Sequence, residues 1–306
     1  MADRAQPQLD LVSQGPCGDA SIHTHLEDGR RICIRTVSPA DEARLREGIA
    51  RMSPRSRYLR FFSGGASPPD WVIERLRHAG VCPAAIRQLD AEVTGHAIIL
   101  LDARAENMIV IHPGANTALK AADIAAALTG IGPRDTLLIQ NETNGQTDAA
   151  RIARRAGARV IYSAAPFAVE AVRAVMEHVS ILAMNEGEAR QLFDAIPGDL
   201  PVEGLLITRG SKGAEYRDMK AGTTIVQEAF PVAPVDTTAA GDTFAGYVAA
   251  ALDRGDGMAE ALRLASAAAA LKVTRPGAGD AIPQLAEVLD FLGDGGRAFA
   301  GSQPRA

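Results

Sequence analysis

The sequence predicts an α/β protein built on a doubly wound parallel sheet with helices on both faces. Four short, nearly continuous apolar runs, TLLIQNE (136–142), ARVIYSA (158–164), VSILAMN (179–185) and GLLITRG (204–210), have the length and composition of strands buried on both faces. Helix-forming segments at about 147–156, 166–177 and 186–194 separate them, which is the spacing of βαβ units. Polar groups end the runs: Asn141 and Glu142, Asn185 and Glu186, Thr208 to Gly210. In an open sheet of this kind ligands lie beyond the carboxyl ends of the strands, so these residues either converge on one crevice or serve as plain strand caps.

Taken in order, the first twenty residues show no periodicity and are expected to be a disordered tail. RRICIRTV (30–37) alternates polar and apolar, as a half-buried strand does. Ser38-Pro39 then opens a helix, with Pro39 at a first helical position and Asp41 and Glu42 at the positive end of the dipole. SGGASPPD (63–70) reads as a linker, so the main boundary is expected there. It separates an N-terminal fragment (21–70) from a core (71–295) followed by a short tail (296–306). HAIILLDA (96–103) and NMIVIHPG (107–114) form a hairpin. Three more helices are expected at 241–253, 258–273 and 284–292, one of them packing closely through its alanines at 265–270.

The 306 residues are 47% hydrophobic, enough for one large core or two smaller ones. The net charge is −5 with Lys and Arg spread along the chain, which argues against a nucleic-acid partner. No apolar run reaches the roughly 18 residues of a membrane span. The polar start MADRAQPQLD lacks the apolar stretch of a signal peptide. Cys17, Cys33 and Cys82 lie far apart without metal-ligand spacing and are expected to be free thiols in a cytoplasmic protein. His78, His96 and His112 have no partner spacing for metal or triad chemistry.

The segment VDTTAAGDTFAGYVAA (235–250) carries the strongest chemical signal. Small and polar residues lead directly into an apolar-periodic helix. Small side chains at Ala239, Ala240 and Gly241 let an anion approach backbone N–H groups at a helix start, where the dipole adds positive potential. Such a hole suits the charge that develops on a transferred phosphoryl group. Asp242 lies at the same helix end, able to accept the proton of an attacking hydroxyl or, equally on spacing alone, to cap the helix.

The string DTTAAGD resembles the signature of the ribokinase, or PfkB-type, carbohydrate kinases. TGHAIILLDARAENMIVIHPGAN (94–116), NEGE (185–188), TRGSKGAEY (208–216) and LASAAAALKVTRPGAGDAIP (264–283) resemble further motifs of that family in the same order, covering about 80–292. The resemblance implies a ribokinase-like sheet with a small hairpin lid remnant. It also implies ATP-dependent phosphorylation of a sugar hydroxyl, ribose favoured, with Mg2+ and K+ as cofactors. Asp242 is then the general base, with anion-hole amides from Ala240 and Gly241. Asn185 and Glu188 act near phosphates and magnesium, Glu188 through water. Thr208, Gly210, Gly213 and Ser266 belong to the nucleotide site, and Glu142 to the sugar site. Asp236 and Thr238, with carbonyls of Lys272, Arg275 and Gly277, would hold potassium, and Ala281 stands where the family often has a Ser ligand. A homodimer through the lid strands is implied as well.

The family's first strand with a sugar-binding Asp and its Gly-Gly sugar grip are not found, so the sheet is expected to be incomplete on its N-terminal side. Gly64-Gly65 is read as linker and Arg55, Arg57 and Arg60 as a solvated helical face. Instead, DGRRICIRTVSPADEARLREGIARMSPRSRYLRFF (28–62) resembles the opening of a GNAT acetyltransferase, without the Q/R-x-x-G-x-G/A loop that seats acetyl-CoA there. Three activities therefore stand open at this level: a sugar kinase, a nucleotide-binding pseudokinase without the sugar grip, and, opposed by the missing loop, an acetyltransferase.

Overall fold

A computed structural model describes residues 10–12, 21–25, 31–35, 76–77, 79–89, 91–101 and 107–295. The chain divides into two compact units, Met1–Ser63 and Gly64–Ala306. In the first, β1 (Asp10–Val12), β2 (Ser21–His25) and β3 (Arg31–Arg35) form an antiparallel sheet in that order. β3 lies within the alternating run 30–37. β1 falls where the sequence was expected to be disordered: three residues can pair with β2 without any periodicity of their own. The helix from Pro39, the 63–70 linker with Gly64-Gly65, Arg55, Arg57, Arg60 and His78 lie outside the described residues.

In the second unit, β4 (His96–Leu101) and β5 (Asn107–His112) pair as the expected antiparallel hairpin. After α1 (Ala121–Ala127) the chain alternates: β6 (Thr136–Gln140), α2 (Gln146–Arg155), β7 (Arg159–Ser163), α3 (Val169–Val175), β8 (Ile181–Asn185), α4 (Glu186–Ala195) and β9 (Gly204–Thr208). These four strands are parallel neighbours in the order β9-β8-β7-β6. Then β10 (Ala214–Asp218) and β11 (Thr223–Gln227) extend the sheet antiparallel beyond β9. The sheet is thus mostly parallel, as expected, with one antiparallel hairpin added beyond β9. AEYRD and TTIVQ are short and half polar, and nothing in them resembles a buried run. Their hairpin is closed by Asp218, whose Oδ1 accepts from the Lys220 and Ala221 amides. Three helices follow: α5 (Ala240–Asp253), α6 (Met258–Val273) and α7 (Leu285–Gly293). Among the described residues no helix is long and apolar enough to cross a membrane.

Strand alternation explains why both faces are covered. Val160, Tyr162, Leu182, Met184, Leu205 and Ile207 point to one face and pack with Ala150, Val172, Val175 and Leu192 from α2, α3 and α4. Ile161, Ile181, Ala183 and Leu206, one position out of step, point to the other face and meet α5, α6 and α7. Ala265, Ala267 and Ala268 are fully buried in α6, and their small size permits close approach to α5. β6 is one of the two edge strands: none of its residues is buried, and Leu138 is 37% exposed.

Leu182 is completely buried at the centre of the α2–α4 face. Leu182→Ala is expected to cost about 2–5 kcal/mol, read as a lower urea midpoint at unchanged slope.

Candidate active site

The parallel register places Asn185 beside Thr208 at the carboxyl ends of β8 and β9, and Gln140 ends β6 on the same side of the sheet. The chain leaves β9 through Arg209 into a tight turn. There Gly210 (φ 55°) and Gly213 (φ 93°) adopt left-handed conformations, and the Arg209 amide donates to the Gly213 carbonyl at 2.7 Å. A Cβ on Gly213 would lie 2.0 Å from the Gln227 carbonyl oxygen, so only glycine fits.

This turn forms one wall of a cavity of about 520 Å³. Thr208, Gly210, Gly213, Ala240, Gly241 and Ser266, all singled out in the sequence, line it together. Ser266 is 7% exposed, and its hydroxyl has no hydrogen-bond partner among the described residues. A buried hydroxyl left so costs stability, so a ligand atom is the expected partner. The sequence reading missed the apolar wall formed by Phe230, Val232, Phe244, Ala269 and Val273. Phe230 and Val232 lie in an irregular proline-rich stretch that carries no periodic signal.

The floor of the cavity is the start of α5. Ala239 stands there as N-cap with φ 58°, the only non-glycine residue with positive φ among those described. Its carbonyl accepts from the Thr243 amide and hydroxyl at 2.9 and 2.8 Å. The Ala240 amide, expected to face an anion, already donates to the Thr237 carbonyl at 3.2 Å. The amides of Gly241 and Asp242 find no acceptor among the described residues, so the free donors lie one residue further on than expected. A Cβ built on Gly241 meets nothing within 4 Å, which leaves room for a ligand.

Asp242 lies in the first turn of α5. Its Oδ1 accepts from the Gln140 side-chain amide at 2.8 Å. Gln140 ends an apolar run just before Asn141 and Glu142, and nothing in the local sequence singles it out. Asn185 and Glu188 form a capping box: Asn185 Oδ1 accepts from the Glu188 amide at 2.9 Å, and Glu188 Oε2 from the Asn185 amide at 2.8 Å. Neither lines the cavity. Glu142 is exposed in the turn after β6 and also lies outside the cavity lining.

A second cluster lies behind the α5 start. Asp236 Oδ1 accepts from the Thr238 amide at 2.9 Å and Oδ2 from the Gly277 amide at 2.8 Å. Hydrogen bonds from Thr238, then from Gly277, hold its carboxyl down at about 2. The Lys272 ammonium donates to the Asp236 carbonyl at 2.8 Å, while Arg275 pairs with Glu287. Among the described residues no three His, Cys, Asp or Glu side chains form a metal cluster.

The model of the pfkB family of carbohydrate kinases matches residues 65–285. The chain belongs to that family. Ribokinase from Haemophilus influenzae is 33% identical to this pfkB chain over 228 residues, covering 70% of this chain and 74% of its own length. The structure of Arabidopsis thaliana ribokinase complexed with ribose and ATP matches at a TM-score of 0.61 and 29% identity, over 70% of this chain and 73% of that one. An Escherichia coli structure in complex with ATP and Mg2+ gives 0.63 and 25%, over 74% and 79%.

Two outcomes test the geometry of this pfkB site. Gly241→Ala is expected to keep the fold, since the added methyl meets open space, and to weaken ATP binding at least about tenfold by calorimetry. The Asp236 carboxyl titrates at about 2 in the native state against an ordinary 3.8. The native state therefore resists protonation, and this stabilisation is complete above the ordinary value and lost as pH falls through about 2. The stability gap between wild type and Asp236→Asn is expected to close as pH drops from about 5 to about 2, followed by urea denaturation.

Proposed function

We propose that the protein transfers the γ-phosphoryl group of ATP to a hydroxyl of D-ribose, giving D-ribose 5-phosphate. One observation carries the reading: a carboxylate, Asp242, stands in the same helix turn as Gly241, whose amide is unclaimed and which lines a cavity with an orphaned buried hydroxyl. Membership of the pfkB family and the ribokinases among its relatives support the choice of reaction and sugar.

The cavity residues suit a nucleotide. Thr208, Gly210 and Gly213 would hold ATP along the β9 turn, and Ser266 would hydrogen-bond it from α6. Bound ATP with magnesium supplies the phosphoryl group and neutralises part of its charge. Asn185 and Glu188 are assigned to the magnesium side. The two residues hold each other rigid through the capping box, and Mg2+ usually takes few protein ligands besides phosphates and water. Asp242 accepts the hydroxyl proton through the oxygen that Gln140 leaves free, and Gln140 fixes the orientation of the carboxylate. The Gly241 and Asp242 amides, aided by the α5 dipole, hold the negative charge as it shifts. Glu142, exposed beside β6, is assigned to the sugar.

Residues 28–62 are read as an acetyltransferase-like fragment without its pyrophosphate loop, the hairpin β4–β5 as the surface for a homodimer, and the cytoplasm as the compartment. The absence of a recognisable sugar grip from the sequence favours a second reading, a pseudokinase that binds ATP without transfer. A coupled ADP-release assay over a panel of sugars separates the two. Turnover is expected with ribose, and ATP binding without turnover on any sugar would establish the pseudokinase. Asp242→Asn is expected to lower kcat by about 10²–10⁴-fold while ATP affinity by calorimetry stays near that of the wild type.

Potassium fits this chain poorly. Both carboxylate oxygens of Asp236 already accept amide hydrogens. The Lys272 carbonyl accepts from the Arg275 amide at 3.0 Å, and Ala281 offers no hydroxyl. No step is assigned to potassium.

A further inference from the structure

Lys272 is completely buried, the only lysine or arginine in that state among the described residues. A buried ammonium survives only where close acceptors or an opposite charge offset its desolvation. Its surroundings supply both. It lies in the last turn of α6, where the helix dipole favours a cation. Its Nζ donates to the Asp236 carbonyl at 2.8 Å, and the Asp236 carboxylate belongs to the same residue. The end of α6 grips this segment again through the Val273 carbonyl, which accepts from the Val235 and Asp236 amides at 2.7 and 3.0 Å. The Gly277 amide, just beyond the helix, reaches Asp236 Oδ2. Every one of these bonds converges on Val235 and Asp236, which lead through Thr237 and Thr238 to the α5 start.

We propose that Lys272 is a built-in cation for this loop. Its ammonium does what a bound monovalent ion would do, fixing the Asp236 carbonyl and balancing the Asp236 carboxylate, so that the amides of the α5 start are set in place without potassium. Lys272 is a positioning residue: it touches the loop, not the substrates. The inference rests on the kinase reading for its consequence, but its geometry stands apart from it.

The test exchanges potassium chloride for tetramethylammonium chloride at constant ionic strength and reads two quantities, the melting temperature and the ATP dissociation constant by calorimetry. Wild type and Lys272→Arg, which keeps a cation, are expected to be indifferent to the exchange. Lys272→Ala removes the ammonium and leaves the Asp236 carbonyl without its donor. It is expected to melt higher in potassium and to bind ATP about tenfold more weakly in tetramethylammonium than in potassium. A wild-type protein that itself melts higher or binds ATP more tightly in potassium would overturn the proposal. So would a folded Lys272→Ala protein indifferent to the salt. Should Lys272→Ala not fold, the salt response of wild type and Lys272→Arg decides alone. Neither readout requires phosphoryl transfer, so a sugar panel without turnover would refute the kinase reading and leave this result intact.

Discussion

Ala239 holds a left-handed backbone, φ 58°, at the point where the chain turns from an extended loop into α5. For a residue with a Cβ this conformation costs about 1–2 kcal/mol. It persists because the segments on both sides are over-determined. Upstream, Asp236 is bound through its amide, its carbonyl and both carboxylate oxygens. Downstream, Thr243 claims the Ala239 carbonyl with amide and hydroxyl together. The sharp turn brings Ala240 and Gly241, with the unclaimed Gly241 amide, to the cavity floor. The cavity, the placement of Asp242 and the proposed chemistry all depend on it.

The direction of α5 is fixed at both ends by the sheet. Arg159 of β7 donates to the Leu252 carbonyl at 3.0 Å in the last turn of the helix, where a cation also suits the dipole. Gln140 of β6 reaches Asp242 in the first turn. Between these anchors Phe244, Val248 and Ala251 are buried against the strands and α6. A helix pinned in this way cannot slide by a turn without losing both polar contacts and its packing, so Asp242 keeps its position relative to the strand ends. The outer position of β6 makes this contact consequential. None of its five residues is buried, and Gln140 ties the exposed edge to α5.

The apolar runs gave away β6 to β9 because strands buried on both faces need apolar residues at every position, and the helices between them carry their own periodicity. β10 and β11 escaped because a half-exposed edge hairpin needs only alternate apolar positions over five residues, too few to stand out. In the site, DTTAAGD, TRGSKG and Ser266 were legible as local strings. Gln140 was not, since its role is a contact across 102 residues. Phe230 and Val232 were hidden because an irregular wall has no period. The lysine at position 272 was read only for its carbonyl. That its side chain turns inward depends on a carbonyl acceptor 36 residues away.

The sequence by itself determined the alternation of β6 to β9 with their helices, the small-residue entry into α5 and the family to which both belong. These are set by neighbours along the chain: hydrophobic period, helix caps and glycine at forced turns. Only the tertiary structure decided that β10 runs against the other five strands of its sheet, that the free amides among the described residues are those of Gly241 and Asp242, and that the Lys272 ammonium binds the loop behind them. Those outcomes depend on which hydrogen-bond acceptors distant segments bring together, and no local pattern in a chain encodes that.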